Sequence, residues 1–222
     1  YPHEEYQSGR PRIVSPLYER LKGLNACFGS KMGWERPNWF APAGIEPKDV
    51  YAMGRQNWFG AVGEEHRAVR ERAGLFDQSS FAKYELRGRD AAEALSFISA
   101  NRVARGPGRL TYTQMLNSRG GIECDLTVAQ LAEDHFYIVT GTGFRTHDFA
   151  WIREHVRPGL DAVLTDVTEQ WGTLSLMGPR SRDILSKVTK ADVGNEAFPF
   201  GAVRVIEVAG AEVRALRVTY VG

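Results

Sequence analysis

Two carboxylates in one short stretch could carry proton-transfer chemistry. Residues 118–128 read SRGGIECDLTV, where a turn-like glycine pair is followed by apolar residues that alternate with Glu123 and Asp125. Such alternation predicts a strand from about Ile122 whose polar side chains face away from the core. Aspartate is among the poorest strand formers, whereas an ionised carboxylate can accept a proton or stabilise a passing cation. Asp125 is therefore either a solvated strand residue or a carboxylate that faces a ligand.

The position of Tyr112 relative to Asp125 depends on one turn. The preceding segment RLTYTQML predicts a second strand, which pairs with the first as a hairpin across NSRGG. With a four-residue loop, 118–121, Tyr112 pairs with Thr127 and shares a face with Asp125. A five-residue loop shifts the pairing by one residue and separates the two side chains onto opposite faces. The residues themselves leave both registers open.

Two glycine-containing turns are candidate anion or nucleotide sites. GTGFRT, residues 141–146, lies between a strand and a helix but lacks the third glycine of a dinucleotide-binding turn. MGPRSRDIL, residues 177–185, places two arginines beside a helix start, where backbone amides can bind an anion. The favoured interpretation of both is structural: a sharp strand-to-helix turn and a Gly-Pro helix entry.

The charge balance and the few cysteines exclude several classes of site. The 222 residues carry 28 basic and 27 acidic side chains, so no overall field predicts a nucleic-acid partner or an acidic membrane surface. No apolar run approaches the ~20 residues of a membrane span. Cys27 and Cys124 form no CxxC pair, and the five histidines never fall four apart on one helix face. We therefore expect neither a disulfide framework nor a metal site.

The first 60 residues differ in texture from the rest. Residues 33–47 are dense in Pro, Gly and Trp, which predicts an extended segment rather than a regular element. SPLYERLKGLNACFG is the exception, a predicted short helix with Ser15 as N-cap and Pro16 at its first position. The chain then ends in the alternating stretch GAEVRALRVTYVG, which has no terminal turn or cap, so we expect a cut within the domain.

From Glu64 onward the patterns predict an α+β domain. The predicted helices are EEHRAVRERAG, RDAAEALSFISAN with Ala91, Leu95, Phe97 and Ile98 on its inner side, THDFAWIREHV and PRSRDILSKV. The predicted strands are AKYELRG, the hairpin strands above, DHFYIVTG, WGTLSLMG and the ribbon FGAVRVIEVAGAEVRALRVTYVG. Tight turns between consecutive strands favour antiparallel sheets with flanking helices.

These motifs together resemble a known family. GLFDQSSFAKYELRGRDA, GRLTYTQMLNSRGGIECDLTV and FYIVTGTG resemble the folate-binding domain shared by the glycine-cleavage T-protein and the dimethylglycine and sarcosine dehydrogenases, over roughly residues 64–222. The lead-in SPLYERLKGLNACFGSKMGWERPNWF resembles the segment that joins the flavin half to the folate half in the dehydrogenases. The resemblance implies a T-protein-like fold truncated at the C-terminus. It divides the chain into a lead-in, 1–60, from a preceding flavin oxidoreductase half and the N-terminal part of the folate-binding domain, 61–222.

The resemblance also implies roles for particular residues. Asp125 corresponds to the aspartate beside the reactive nitrogens of tetrahydrofolate and is the expected catalytic residue. Tyr112 falls where the family places a side chain against the pterin, which favours the four-residue loop. Gly141 departs from the asparagine of the T-protein, so a polar contact made there is in doubt. Further cofactor-binding positions implied by the resemblance are Met115, Val139, Arg217 and Tyr220.

The implied function is tetrahydrofolate-dependent one-carbon transfer. An iminium or formaldehyde unit from an N-methylated glycine would be captured as 5,10-methylenetetrahydrofolate, with FAD held in a preceding domain of the same polypeptide that this chain does not contain. The alternatives are a free-standing aminomethyltransferase or folate-dependent demethylase, and a non-catalytic folate-binding module. The expected compartment is the cytoplasm in a bacterium or the mitochondrial matrix in a eukaryote. The chain alone is expected to be inactive.

Overall fold

The structure is a computed structural model that describes residue 5 and residues 7–219. Its helices and strands follow one another in the order α1 (Tyr18–Gly23), β1 (Ala26–Lys31), β2 (Trp34–Phe40), α2 (Phe59–Glu71), β3 (Gly74–Asp77), β4 (Ala82–Arg87), α3 (Ala91–Ile98), β5 (Arg109–Leu116), β6 (Ile122–Ala132), β7 (His135–Thr140), α4 (Arg145–His155), β8 (Val163–Asp166), β9 (Leu174–Met177), α5 (Ser181–Leu185), β10 (Val203–Val208) and β11 (Ala211–Leu216). Short 3-10 turns cover Thr142–Phe144 and Thr168–Gln170. Within the described residues the named strands all pair in antiparallel fashion, so the predicted α+β class is confirmed.

The chain divides into two compact units. The first comprises the chain up to Ser80 together with Gly172–Ser181, and the second comprises Phe81–Trp171 and the chain from Arg182 onward. In the first unit β3 pairs with β9, Gly74 opposite Met177. The sequence predicts β9 but not its partner β3, because GLFD is too short to show an alternation.

The prediction of an extended segment without a regular element at 33–47 is wrong for its first part. Residues 34–40 form β2, which pairs with β1 as a hairpin. Cys27 pairs with Trp39 but Phe28 with Pro37, so Asn38 is the extra residue of a β-bulge. A proline lacks the N–H that a ladder needs, and a bulge is one of the places in a sheet that tolerates this.

The second unit is built on a five-stranded antiparallel sheet in the order β5-β6-β7-β4-β8. Helices α3 and α4 cover one of its faces. The side chains buried there form one cluster, which includes Tyr84, Leu86, Leu95, Met115, Leu126, Phe136, Ile138 and Ile152. The alternation that the sequence shows in these strands is the alternation between this core and the other face.

One residue of α3 was predicted to face inward and does not. Ala91, Leu95 and Ile98 are buried as expected, but Phe97 is 63 % exposed. Two residues after Leu95 in a helix the side chain has turned by about 200°, so it cannot share that face. The Arg157 guanidinium lies over the Phe97 ring instead, 4.7 Å from its centroid.

The other face of the sheet is covered in part by the hairpin β10–β11. Leu110, Ala129 and Tyr137 pack there with Val203 of β10, and Leu216 of β11 joins the cluster. The part of this face nearer the turn between β5 and β6 carries polar side chains, several of them exposed. That surface contains the residues singled out by the sequence.

Candidate functional site: the β5–β6 hairpin face

The turn between β5 and β6 is organised by Asn117. Its Oδ1 accepts the backbone N–H groups of Arg119 (3.0 Å) and Gly121 (2.9 Å). Gly120 has a φ of +78°, a conformation that glycine adopts without the strain other residues incur. The turn therefore depends on one asparagine amide and one glycine, both visible in the sequence NSRGG.

The loop is longer than the resemblance favoured, yet the predicted register holds. Leu116 pairs with Ile122, which leaves five residues, 117–121, in the loop rather than four. Beyond it Met115 pairs with Cys124, because Glu123 is the extra residue of a bulge. The bulge restores the pairing that a four-residue loop would give. The loop therefore has the five residues of the second alternative, whereas the register, with Tyr112 opposite Thr127, is that of the first.

Tyr112, Gln114 and Asp125 lie on the same outward face. Gln114 pairs with Asp125 across the ladder, and its Nε2 donates to Asp125 Oδ1 over 3.1 Å. Tyr112 precedes Gln114 by two residues on the same strand and is 59 % exposed. A carboxylate and an aromatic ring thus lie diagonally across the ladder on one open surface.

A row of four side chains crosses the sheet at Tyr112. Tyr112 pairs with Thr127, Thr127 pairs with Val139 on β7, and Val139 pairs with Lys83 on β4. Directly opposite residues share a face, so Val139 lies on the Tyr112 and Asp125 face, and its role as a pocket residue stays a prediction. Lys83, which the sequence did not single out, is fully buried, and its Nζ donates to the Trp171 carbonyl oxygen over 2.8 Å.

Met115 lies on the other face of the sheet. It is fully buried among the core residues under α3 and α4, because it alternates with Gln114 along β5. A side chain in that position packs the core and does not reach the surface that Tyr112 and Asp125 share. The structure gives no support to Met115 as a pocket residue.

The two predicted binding residues near the end of the chain are placed differently. The Arg217 guanidinium donates to the Phe198 carbonyl oxygen and, over 2.6 Å, to Asn195 Oδ1. These contacts tie it to the loop before β10. Tyr220 lies outside the described residues.

Beside the row, the same face carries a charged cluster that sequence reasoning missed. Arg214 of β11 contacts Glu85 of β4, Nη1 to Oε1 at 2.7 Å. The same guanidinium lies over the Trp171 ring at 4.0 Å and the Tyr137 ring at 4.8 Å. Burial alone would raise the pKa of the Glu85 carboxyl, but the hydrogen bond from Arg87 and the charge of Arg214 hold it below its ordinary value of 4.5. No local pattern links residues 85 and 214, so the sequence held no signal for this pair.

A buried carboxylate lies beneath the hairpin. Asp148 is 1 % exposed, and it accepts Thr140 Oγ1 at 2.6 Å and faces His147 Nδ1 at 2.9 Å. Burial, and next the charge of Asp148, raises the pKa of the Cys124 thiol far above its ordinary value, so this sulfur keeps its proton. Cys124, His147 and Asp148 lie within 4.8 Å of one another, but hydrogen bonds of ordinary length account for the arrangement. We assign no metal to it.

The glycine turn at 141–146 has the structural role that the sequence favoured. Gly141 has a φ of −66° and is followed by a 3-10 turn that leads into α4. The strand before it is the antiparallel partner of β6 and β4, which is not the parallel strand of a dinucleotide-binding unit.

Comparison with known proteins yields one family. A family model described as the GCVT N-terminal domain matches residues 17–222. A 4-methylaminobutanoate oxidase (formaldehyde-forming) from Paenarthrobacter nicotinovorans is 38% identical over 222 residues, which is 100% of this chain and 27% of that protein. The mitochondrial dimethylglycine dehydrogenase of Mus musculus is 36% identical over 224 residues, covering 100% of this chain and 26% of that protein. The chain thus spans about a quarter of the length of these relatives.

A solved structure agrees in fold. The glycine cleavage system aminomethyltransferase T from Bartonella henselae matches with a TM-score of 0.69 and 28% identity, covering 86% of this chain and 47% of that one. This likeness confirms the predicted T-protein-like fold.

The family match begins inside the segment 1–60, and the domain boundary near residue 60 stays a prediction. None of the helices in the described part of the chain is long and apolar enough to cross a membrane. The chain belongs to the family of the GCVT N-terminal domain.

Proposed function

We propose that this chain binds tetrahydrofolate and supports capture of a one-carbon unit as 5,10-methylenetetrahydrofolate. The observation that carries the proposal is the exposed carboxylate of Asp125 on the same face of the β5–β6 hairpin as the exposed ring of Tyr112. The relatives that it resembles are named for the oxidation of N-methylated amines, and one of them is named as formaldehyde-forming.

The surface fits a reduced pterin. An exposed aromatic ring such as Tyr112 can stack against a flat heterocycle, and Val139 adds an apolar contact in the same row. The carboxylate lies beside them, where it can face ring N–H groups. Arg217 and Tyr220 would contact the pterin only by resemblance, and these two roles stay predictions.

Asp125 would act as a general base. Tetrahydrofolate, when bound, supplies the nitrogen nucleophiles that take up the one-carbon unit. Asp125 would accept in turn the protons that the two attacking nitrogens lose and return them to the leaving group, which is the oxygen released as water when formaldehyde is the donor and the amine when an iminium is the donor. General-base help of this kind contributes roughly two to four orders of magnitude in rate. The hydrogen bond from Gln114 holds the carboxylate in one orientation for this role.

In the whole protein we propose that the one-carbon donor comes from an N-methylated amine, a derivative of glycine being the leading candidate. It would be oxidised by a flavin domain of the same polypeptide, and residues 1–60 would connect that domain to the folate-binding one. The compartment would be the bacterial cytoplasm or, as for the mouse relative, the mitochondrion.

A free-standing aminomethyltransferase is the second candidate, favoured by the likeness to the Bartonella henselae protein. The mass of the native protein separates the two, since a dehydrogenase-like protein would be about four times the length of this chain and would carry flavin absorbance. A protein of about half that length or less without flavin would favour the aminomethyltransferase.

The proposal is tested by calorimetric titration of tetrahydrofolate into the full-length protein, followed by an assay of formaldehyde capture. We expect saturable binding by the wild type, and loss of enzyme-dependent capture in Asp125→Ala with binding retained. Asp134→Ala, an exposed acidic residue in the turn at the other end of β6, is the matched control and should behave as the wild type. Absence of binding by the folded wild type would refute the proposal. Binding with capture unchanged in Asp125→Ala would instead support a non-catalytic folate module.

A further inference from the structure

The bulge that sets the face of Asp125 is held from two sides. Its extra residue, Glu123, accepts a hydrogen bond at Oε1 from Asn117 Nδ2 over 2.8 Å, which ties it to the turn. Its Oε2 lies 3.5 Å from Nε2 of His147, at the start of α4. The bulge is therefore fixed between the turn of its own hairpin and a helix from the other side of the sheet.

His147 is itself fixed by a buried anchor. Its Nδ1 lies 2.9 Å from Asp148 Oδ1, and Asp148 Oδ2 accepts the hydroxyl of Thr140 on β7 at 2.6 Å. Both ring nitrogens of His147 thus face carboxylates, an arrangement that favours the imidazolium, in which both nitrogens donate. The hydrogen bond to Asp148, with the charges of Asp148 and Glu123, raises the pKa of His147 above its ordinary value of 6.5.

The other end of this chain of contacts reaches Asp125. Thr140 Oγ1 lies 3.5 Å from the Asp125 backbone carbonyl oxygen. Thr140 of β7 therefore contacts β6 at Asp125, two residues beyond the bulge at Glu123. Loss of the bulge would move the pairing by one residue, and a shift of one residue transfers a strand side chain to the opposite face.

From this geometry we propose that His147 is a positioning residue for Asp125: by bridging Glu123 and Asp148, it holds the bulge that keeps the Asp125 carboxylate on the face of Tyr112. The inference rests on the proposed function for its catalytic consequence, and on the structure alone for the positioning. The charged groups that face the imidazole are Glu123 from β6 and Asp148 from its own helix, with the thiol of Cys124 close to Asp148.

Positioning is tested first without folate, by NMR titration of the full-length protein. We expect the backbone amide of Asp125 to titrate with the same midpoint as the His147 ring. The midpoint should fall in Glu123→Gln, because one of the two carboxylates loses its charge. In His147→Gln the titration of the Asp125 amide should vanish. An Asp125 amide indifferent to His147 in both variants would overturn the proposal.

The catalytic consequence is measured in the full-length protein. In His147→Gln we expect one-carbon transfer to fall roughly tenfold with the tetrahydrofolate Kd nearly unchanged, since a small misplacement of a catalytic group is costly. The wild-type rate should fall as pH rises through the pKa of His147, and this limb should be missing in the variant. A simple loss of folding would not separate rate from affinity in this way.

His155→Gln is the matched control, from the same helix. The His155 ring stacks on Trp151 at 3.8 Å and its Nδ1 contacts the Trp151 carbonyl oxygen, away from the hairpin. The His155→Gln variant should show the same titration of the Asp125 amide and the same transfer rate as the wild type. If the wild type binds no folate, the proposed function fails while the NMR titration still decides the positioning. If folate binds and His147→Gln transfers at the wild-type rate at every pH, the catalytic consequence proposed for His147 is wrong.

Discussion

Gln114 and Asp125 face each other across the β5–β6 ladder, and Gln114 Nε2 donates to Asp125 Oδ1 over 3.1 Å. The Gln114 amide is a neutral donor to one oxygen of the carboxylate. Asp125 stays exposed on the surface that it shares with Tyr112. The pair therefore presents a base that is oriented by a hydrogen bond across the strand rather than by a cation.

A second carboxylate at position 114 should oppose ionisation of Asp125. In Gln114→Glu two like charges would lie directly across the ladder, so the acid limb of the transfer rate should move to higher pH by about one unit. Gln114→Met keeps the length without the charge and should move the limb far less. The measurement is the pH profile of kcat/KM for one-carbon capture. Identical pH profiles for Gln114→Glu and the wild type would mean that the Asp125 carboxylate takes no part in proton transfer.

Tyr112 should contribute to affinity rather than to rate. Tyr112→Ala removes the exposed ring, and stacking of this kind is worth roughly 0.5–1.5 kcal/mol, so we expect the Kd for tetrahydrofolate to rise up to about tenfold. Tyr112→Phe keeps the ring and should bind within about twofold of the wild type. Leu116→Ala, at another exposed position of β5, is the control. The check is calorimetry, and equal affinity for Tyr112→Ala would remove this ring from the pterin site.

The local sequence pattern predicted much of the β5–β6 hairpin face that carries Tyr112 and Asp125. The alternation in β6 and the glycine pair of the turn predicted the hairpin and the outward face of Asp125. The bulge at Glu123 was not predictable, because it rests on contacts with Asn117 and with His147, which is 24 residues away in the chain. The same limit applies to Met115, whose burial depends on the face that α3 and α4 cover.

The wrong prediction for β2 and the missed strand β3 also result from tertiary contacts that the local sequence does not show. The proline in β2 suggested an irregular segment, but a bulge beside Pro37 lets the strand pair. The strand β3 was missed because its four residues gain their order from β9, about a hundred residues later. Propensity describes a segment alone, whereas pairing depends on the partner that it meets.

The ion pair between Arg214 and Glu85 should stabilise the second unit because each of the two buried charges has a partner of opposite sign. The side chains are 15% and 9% exposed, so Arg214→Met would leave a buried carboxylate with fewer partners. Removing one partner of a buried pair costs about 3–5 kcal/mol, and we expect a value at the low end because Arg87 still contacts Glu85. Adding Glu85→Gln to that variant should recover part of the loss. Urea unfolding at pH 7 measures both, and equal stability of wild type and Arg214→Met would contradict the prediction.

The pH dependence of this contribution has a definite sign. Since the pKa of folded Glu85 lies below its ordinary value of 4.5, its stabilisation is fully present above that value. It is lost as the pH falls through the folded pKa. The stability of the wild type should therefore drop more steeply below pH 4.5 than that of the Glu85→Gln variant. Parallel stability curves for the two proteins between pH 3 and pH 6 would contradict this.

Asn117 should matter in two separable ways. Asn117→Asp keeps an oxygen to accept the N–H groups of the turn, but it replaces the amide that donates to Glu123 with a second carboxylate. Asn117→Ala loses both functions. We expect Asn117→Ala to lower the free energy of unfolding by about 1–3 kcal/mol at all pH values. Asn117→Asp should lose less, and should recover as the pH falls and one of the facing carboxylates is protonated.

The two variants also separate turn stability from the position of the bulge. Repulsion between Asp at position 117 and Glu123 acts on the bulge, so Asn117→Asp should reduce one-carbon transfer near neutral pH by more than its loss of stability implies. Ser118→Ala, an exposed change in the same turn, controls for an effect of the loop surface. Urea unfolding and transfer rates from pH 5 to pH 8 measure the difference. If Asn117→Asp transferred at the wild-type rate across that range, the bond from Asn117 to Glu123 would serve the turn alone.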